Sequence, residues 1–429
     1  MNPEALFLVE ELPMILVVCA VSTVLLGHAA FQQWYVFRHR RRSRLAGPQG
    51  GPGRTGEARW PRVDVIVPCY NEDPGLLARC CASIAEQDYP GRLRVWLIDD
   101  GSRNVAELDK IYRRYENRHR WTVVRQRHNY GKRVGQNAGF HLGKGEIVLT
   151  MDSDTVIARD GIRSIVAAFR DHRVGAVTGD VRALNAGDNW LTRIIDERYR
   201  LLFEHERAAQ SWKQSVLCCS GPFSAYRRSV LRRVWKDYLG HTMWGRQCTF
   251  GDDLHLTLLV LAKGYQSRYE PRAKARTQVP TTLRVFARQQ IRWNKSLYRE
   301  LPLTLRVLRE RGWFLRADVL VRLLLPLALG IALPWAAAQL ALGGPLGGER
   351  LLPFVAAAIL VQLVSVVVQT RDVRFLLLYG LVYVGLLIPI RVYALLTLGD
   401  NRWGTREITQ RLRIRTASTT PSPVAAAGG

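Results

Sequence analysis

Two carboxylates separated by one residue, Asp152 and Asp154 around Ser153, stand at the end of the apolar run EIVLTMD. In an extended chain, residues two apart point to the same side. The pair can therefore share one divalent cation of the kind that bridges carboxylates to the oxygens of a diphosphate. A solvated turn would carry the same triplet. A second acidic pair, Asp99 and Asp100, ends VWLIDD and is followed by Gly101, which lets the chain turn sharply and offer a carboxylate to a base or ribose. Asp-Gly also makes ordinary strand-ending turns. A third pair, Asp252 and Asp253 after Gly251, precedes LHLTLLVLAKG, which has helical periodicity. Acids at helix starts are commonly caps, but a sugar-transfer site needs one carboxylate to take the proton of the attacking hydroxyl, and Asp253 is the better candidate. Finally, QQIRWNKS supplies Gln289, Arg292 and Trp293. Arginine can hold a departing diphosphate and an indole face can stack on a sugar ring, although a helix lying on a membrane would carry the same residue types.

Such side chains act together only if rigid elements hold them. VDVIVP, VWLIDD, WTVV and EIVLTMD are short apolar runs separated by helix-length segments such as PGLLARCCASIAEQ. This alternation predicts a parallel sheet with crossover helices. In such sheets ligands bind beyond the carboxyl ends of the strands, where Asn71, Asp99, Asp100 and Asp152 fall.

Hydropathy divides the 429 residues further. Residues 1–45 contain an uncharged stretch, 13–34, long enough to span a bilayer, followed by the basic flank RHRRRSR. Residues 46–60 are a Gly/Pro-rich flexible linker, and residues 61–280 have the mixed composition of a soluble catalytic-sized domain. Residues 281–316, rich in Arg, Trp and Leu, suit amphipathic interfacial helices. Residues 317–400 carry the apolar blocks 323–342, 351–369 and 375–390 and a short helix at 392–398, and residues 416–429 form a disordered tail. The positive-inside rule puts the N-terminus outside and the domain in the cytoplasm. Three full C-terminal spans would then leave Trp403 outside, so residues 375–398 are expected to bend back near Pro389.

Lys and Arg total 62 against 36 Asp and Glu, a net charge of +26 that favours anionic partners. The basic runs lie beside the apolar blocks, as cytoplasmic membrane flanks do, and no aromatic-basic module of an RNA binder accompanies them, so nucleic acid is excluded as a partner. The seven cysteines include two adjacent pairs and no CxxC spacing. That pattern argues against a disulfide framework or a structural zinc site and suits a reducing compartment.

PCYNED, IDDGS, MDSD and GDD followed by QQIRW occur in that order, and the order resembles the processive family-2 glycosyltransferases, which include cellulose, chitin and hyaluronan synthases. The resemblance spans residues 63–406. TGDVRALN, ERAAQS, CSGPFSAYRRS, GRQCTFGDDLHLT, QQIRWNKSLYRE and WGTR look like hyaluronan synthase. One apolar block before the domain and three after it, with LLIPIRVYALLTL last, is more similar to rhizobial chitin-oligosaccharide synthases.

These resemblances imply an α/β, GT-A-like, mostly parallel sheet with flanking helices, plus interfacial and transmembrane helices. The implied reaction is an inverting, metal-dependent transfer that builds a hyaluronan-like polysaccharide from UDP-N-acetylglucosamine and UDP-glucuronic acid and threads it through the membrane. The alternative is a chitin or chitin-oligosaccharide synthase using UDP-N-acetylglucosamine only. The carried-over roles put Tyr70, Glu72 and Asp100 at the uridine, with Asp99 nearby and Lys132 close to the diphosphate. Asp154 would ligate Mg²⁺ or Mn²⁺, Asp152 would support donor binding, and Asp253 would be the base. Gln289, Arg292 and Trp293 would form a collar for diphosphate and acceptor. Ser220, Gly221 and Pro222 would line the acceptor site, with Cys219 packed beside it. Trp403, Thr405 and Arg406 would belong to a gating segment, 401–415, that closes over the nucleotide. The implied partners are UDP-sugar donors, the growing polysaccharide and the lipid bilayer of the cell membrane, which the chain crosses several times with its catalytic domain cytoplasmic.

Overall fold

The computed structural model describes residues 23, 26–27, 29–41, 59–342, 356 and 373–400. The apolar runs read from the sequence become strands. β1 (Val63–Cys69), β2 (Leu93–Asp99), β3 (Trp121–Arg125) and β4 (Ile147–Thr150) pair in parallel. Every residue of β1 and β4 is buried, as strands covered by helices on both faces must be. Between them run α1 (Pro74–Ala85), α2 (Val105–Glu116) and α3 (Lys132–Leu142). Asp73 caps α1 by accepting the Leu76 N–H at 2.8 Å, and Pro74 supplies the first helical residue without needing a donor.

The second half of the sheet is mixed. β5 (Thr155–Ile157), β6 (Val174–Ala183), β7 (Ser224–Arg227) and β10 (Gln266–Thr277) complete the order β3-β2-β1-β4-β7-β6-β10-β5. Four pairings in this sheet are parallel and three, those of β7 with β4 and β6 and of β5 with β10, are antiparallel. The chain leaves β1 toward β2 and β3, then crosses back to lay β4 on β1's other side. That reversal opens a crevice at the carboxyl ends of β1 and β4.

The remaining helices surround this crevice. α4 (Gly161–Ala167) follows β5; α5 (Trp190–Leu201) runs through a π-helical turn (Leu202–Arg207) into α6 (Ala208–Trp212). α7 (Arg228–Leu239) leads through a small hairpin, β8 (Thr242–Met243) and β9 (Arg246–Gln247), to α8 (Asp252–Ala262). The segment expected at the interface forms α9 (Leu283–Arg299) and α10 (Leu301–Arg309), followed by the long α11 (Trp313–Leu342). A helix over residues 29–41 docks on this group, with Tyr35 edge-on to Phe314 at 4.5 Å between centroids and Arg40 paired with Glu204 at 3.3 Å.

The chain does not reverse near Pro389. It stays helical through α12 (Val373–Val382), a second π-helical turn (Tyr383–Leu387) and α13 (Ile388–Leu396), so residues 392–396 are part of one continued helix and not an appended one. Pro389 sits in the first turn of α13 and the wider π turn precedes it, which lets the helix pass a residue that has no N–H to donate. Among the described residues one stretch, Leu378–Leu396, is long and apolar enough to cross a membrane, with a mean hydropathy of 1.8. The expected blocks 13–34 and 351–369, the linker and the tail lie largely or wholly outside the described residues.

A buried ion pair locks the two halves of the sheet. Arg228, at the start of α7, pairs with Asp64 on β1 and donates to the carbonyls of Gly145 and Phe140. Asp64→Ala would leave that guanidinium buried without its counter-charge. Urea unfolding of the detergent-solubilised protein is expected to show a loss of about 3–5 kcal/mol.

Candidate active site

The carboxyl ends of the strands deliver the acidic residues to one cavity of about 1300 Å³. Glu72 follows β1, and Asp152 and Asp154 bracket the turn between β4 and β5; all three line the cavity. Lys132, first residue of α3, pairs with Asp152, and the Ser153 hydroxyl donates to Glu72. Asp154 accepts from the Thr277 hydroxyl, 2.9 Å away at the end of β10. Three carboxylates thus share one lysine. Burial first, then the charges of Asp152 and Glu72, push the Asp154 carboxyl up to about 7, against the opposing pull of Thr277 and Lys132. Hard oxygen donors around uncompensated negative charge fit a divalent cation such as Mg²⁺ or Mn²⁺, which Asp154 with Asp152 would hold.

Asp99 and Asp100 stand behind this wall, each 2% exposed. Asp100 accepts from the Tyr130 and Gly131 N–H groups at 2.9 and 2.8 Å, and Asp99 from the Ser102 N–H at 2.9 Å. Backbone amides hold both carboxylates, and Asp100 shapes the loop that aims Lys132. Gly101 is indispensable to this turn: its φ is +73°, and a Cβ there would lie 2.6 Å from the His128 carbonyl carbon. Tyr70 is also buried, next to Asn71, whose φ of 49° is one of the few positive values at a non-glycine residue.

The opposite wall is the start of α8. Asp253 faces the cavity, accepting from the Gly221 N–H at 3.1 Å and its own helix's Leu254 N–H at 2.9 Å. Asp252 also borders the cavity, but its carboxylate is taken up in a buried ion pair, 2.9 Å from Arg133 Nε. Gly251 takes φ +83°, and a Cβ there would meet Ser296 Oγ at 2.6 Å, so the turn before α8 lies directly against α9. That contact sets Gln289, Arg292 and Trp293 of α9 on the same cavity as Asp253. Gln289 Oε1 is buried there without a hydrogen-bond partner among the described residues.

Behind the wall, His241, His255 and Glu300 bind the two helices together. Glu300 faces His241 Nε2 at 3.1 Å and His255 Nδ1 at 2.9 Å. The imidazoles stack at 3.8 Å with 9° between their planes. Lone pairs on stacked rings run parallel and do not converge on one point, so this trio is a hydrogen-bonded clasp around one carboxylate and not a cation cage. Burial first, then His255, Arg133 and Arg299, hold His241 down to about 2, so it is neutral near pH 7.

Of the residues expected at the site, Glu72, Lys132, Asp152, Asp154, Ser220, Gly221, Pro222, Asp253, Gln289, Arg292 and Trp293 line the single cavity; Tyr70, Asp99 and Asp100 back it. Cys219 is fully buried, as a packed neighbour would be. Trp403, Thr405 and Arg406 lie outside the described residues. The chain approaches them along α9, where Arg299 donates to the Leu398 and Asp400 carbonyls and Lys295 lies 3.6 Å from the Asp400 carboxylate. Sequence reasoning missed Cys218, which lines the cavity beside Asp253, and Thr277, whose position at the end of β10 depends on strand pairing across 122 residues.

The raised Asp154 pKa has a sign that can be tested. An ordinary aspartate ionises near 3.8, so between about pH 4 and 7 the folded chain holds a proton that the unfolded chain has lost, and metal-free stability falls as pH rises through that window. Asp154→Asn is expected to stabilise the metal-free protein at pH 8 by on the order of 1–2 kcal/mol and to abolish the rise in Tm on adding Mn²⁺. Thermal unfolding in EDTA and then in Mn²⁺ reads both effects; a variant that melts lower in EDTA and still responds to Mn²⁺ contradicts the assignment.

Comparison with known proteins agrees with this geometry. Residues 61–296 match the glycosyltransferase like family 2. An N-acetylglucosaminyltransferase of Rhizobium meliloti (strain 1021) is 38% identical over 363 residues, 84% of this chain and 85% of the relative. One from Sinorhizobium fredii (strain NBRC 101917 / NGR234) is 40% identical over 354 residues, 82% of this chain and 86% of the relative. Among solved structures, the mannosyltransferase PcManGT from Pyrobaculum calidifontis, in complex with GDP-Man and Mn²⁺, superposes with a TM-score of 0.60 at 25% identity, covering 91% of this chain and all of that one. With its GT-A-like sheet, its strand-end carboxylates and a match across more than half its length, the chain belongs to the family-2 glycosyltransferases.

Proposed function

We propose that this enzyme transfers N-acetylglucosamine from UDP-N-acetylglucosamine to the end of a growing β-linked saccharide, as a chitin-oligosaccharide synthase does. The relatives' printed activity supports this reading over the hyaluronan-like one. The observation that carries it is that donor-side and acceptor-side residues share one cavity: Asp152, Asp154 and Lys132 on one wall, Asp253, Arg292 and Trp293 on the other.

In this reading the uridine lies in the crevice beyond β1 and β2, near Tyr70, Glu72 and the turn that Asp99 and Asp100 build. Lys132 and Arg292 bind the diphosphate by charge-assisted hydrogen bonds. A divalent cation, when bound at Asp154 and Asp152, offsets charge on the departing diphosphate. Asp253 takes the proton of the acceptor hydroxyl as its oxygen bonds to the anomeric carbon; the bond from that carbon to the diphosphate breaks, its electron pair leaves with UDP, and the configuration inverts. Gly221 N–H holds the Asp253 carboxylate in place for that step, and Trp293, Ser220 and Pro222 border the acceptor.

The same cavity continues past α9 between α11, α12 and α13, where Leu323, Leu329 and Val384 line it. A bilayer around these helices, with the saccharide held and moved along this extension, would make the enzyme a membrane-embedded, processive synthase.

Two measurements test the reading. Membranes containing the enzyme are expected to incorporate radiolabel from UDP-N-acetylglucosamine alone, into a product that chitinase degrades; incorporation that requires UDP-glucuronic acid, or a product cut only by a hyaluronan-specific lyase, overturns it. Asp253→Asn is expected to lower kcat about 10²–10⁴-fold with UDP binding retained. Asp252→Asn instead disturbs the buried pair with Arg133, and is expected to act mainly through a lowered Tm.

A further inference from the structure

Among the described residues, the half of the cavity beyond Asp253 carries more positive charge than its carboxylates offset. Arg198, Arg207, Arg322 and Arg391 all line it. Arg322 takes both nearby acids, pairing with Glu206 and, at 2.8 Å, with Asp318. Arg198 donates to the Tyr379 hydroxyl at 2.5 Å, and Arg391 donates to the backbone carbonyl of Arg322. Neither Arg198 nor Arg391 has a carboxylate within ion-pair distance among the described residues. Arg207 reaches the Gln210 side-chain oxygen at 3.3 Å, and its Nε is buried with no partner among the described residues.

This wall is not a solvated surface. Arg391 stands within Leu378–Leu396, the stretch apolar enough to cross a membrane, and the leucines beside the arginines lower the local dielectric. A guanidinium in such a place costs several kcal/mol unless an anion or a set of strong acceptors meets it. Among the described residues, two carboxylates stand against four guanidiniums, which leaves room for an anion. The fixed hydrogen bonds of Arg198 and Arg391 also hold them in position beforehand, as a binding subsite requires.

We infer that the deep half of the cavity is an anion subsite, and that the molecule occupying it carries a carboxylate or phosphate, either on the acceptor saccharide or on a lipid. The inference rests on the reading of this cavity as the acceptor passage and goes beyond it, because a saccharide built of N-acetylglucosamine alone is neutral. Arg391 and Arg198 are the residues assigned to the anion.

The test uses the full chain purified in an uncharged detergent, with tryptophan fluorescence as the binding signal. Three probes are titrated: chitotetraose, a tetrasaccharide alternating N-acetylglucosamine and glucuronate, and phosphatidylglycerol against a phosphatidylcholine control. One anionic probe is expected to bind at least about tenfold more tightly than its neutral counterpart, the worth of one charge-assisted contact, and to lose that advantage in 0.5 M salt. The winning probe tells saccharide carboxylate from lipid phosphate. Arg391→Gln is expected to erase the difference and Arg391→Lys to keep part of it, with UDP affinity serving as the check on folding. Equal affinity for neutral and anionic probes, or an advantage untouched by both Arg391→Gln and Arg198→Gln, overturns the subsite. Incorporation from UDP-N-acetylglucosamine in the same preparation is scored separately: its failure would remove the proposed reaction while the binding comparison still decides the charge of the occupant.

Discussion

Like charges crowded into a water-poor cleft repel one another, and the fold has to hold them there. Glu72, Asp152, Asp154 and Asp253 converge, and among the described residues only Lys132 pairs directly with one of them, Asp152. No flexible loop could keep such a group together. Here the carboxylates ride on the ends of strands and the first turn of a helix, each placed by hydrogen bonds from backbone or neighbouring hydroxyls: Thr277 to Asp154, Ser153 to Glu72, Gly221 to Asp253. Burial first, and then the charges of Asp152 and Glu72, raise the pKa of Asp154, and a cation bound there would relieve both.

Much of this was legible beforehand because it obeys local rules. β1 to β4 announce themselves as apolar runs, three of them with Asp or Asn at or within two residues of their ends, and the crossover helices between them have the expected length. Asp252 and Asp253 are adjacent in the sequence, and the structure pairs Asp252 with Arg133 while Asp253 lines the cavity. The mixed half of the sheet was harder. β7 lies antiparallel between β4 and β6, and β10 carries charged residues such as Arg268, Lys274 and Arg276 that hide its strand character. Its length and pairing come from tertiary contacts that a local pattern does not encode.

The same limit explains what was misread or overlooked. Pro389 looks like a breaker, yet a single π turn absorbs it and the helix continues. The amides that hold Asp99 and Asp100 come from neighbouring loops, which only the folded chain reveals. His241, His255 and Glu300 are separated by up to 59 positions and share no motif, so their meeting was invisible in the sequence.

That meeting has a mechanical consequence. Glu300 grips α8 through His255 and the segment after α7 through His241, while Ser296 fills the space that Gly251 leaves open. Asp253 and the α9 residues Gln289, Arg292 and Trp293 therefore belong to one rigid jaw, and neither side can slide without breaking a buried carboxylate's contacts. Whatever opens and shuts during turnover has its fulcrum elsewhere. The jaw is the natural reference frame on which other conformations of this enzyme should be superposed.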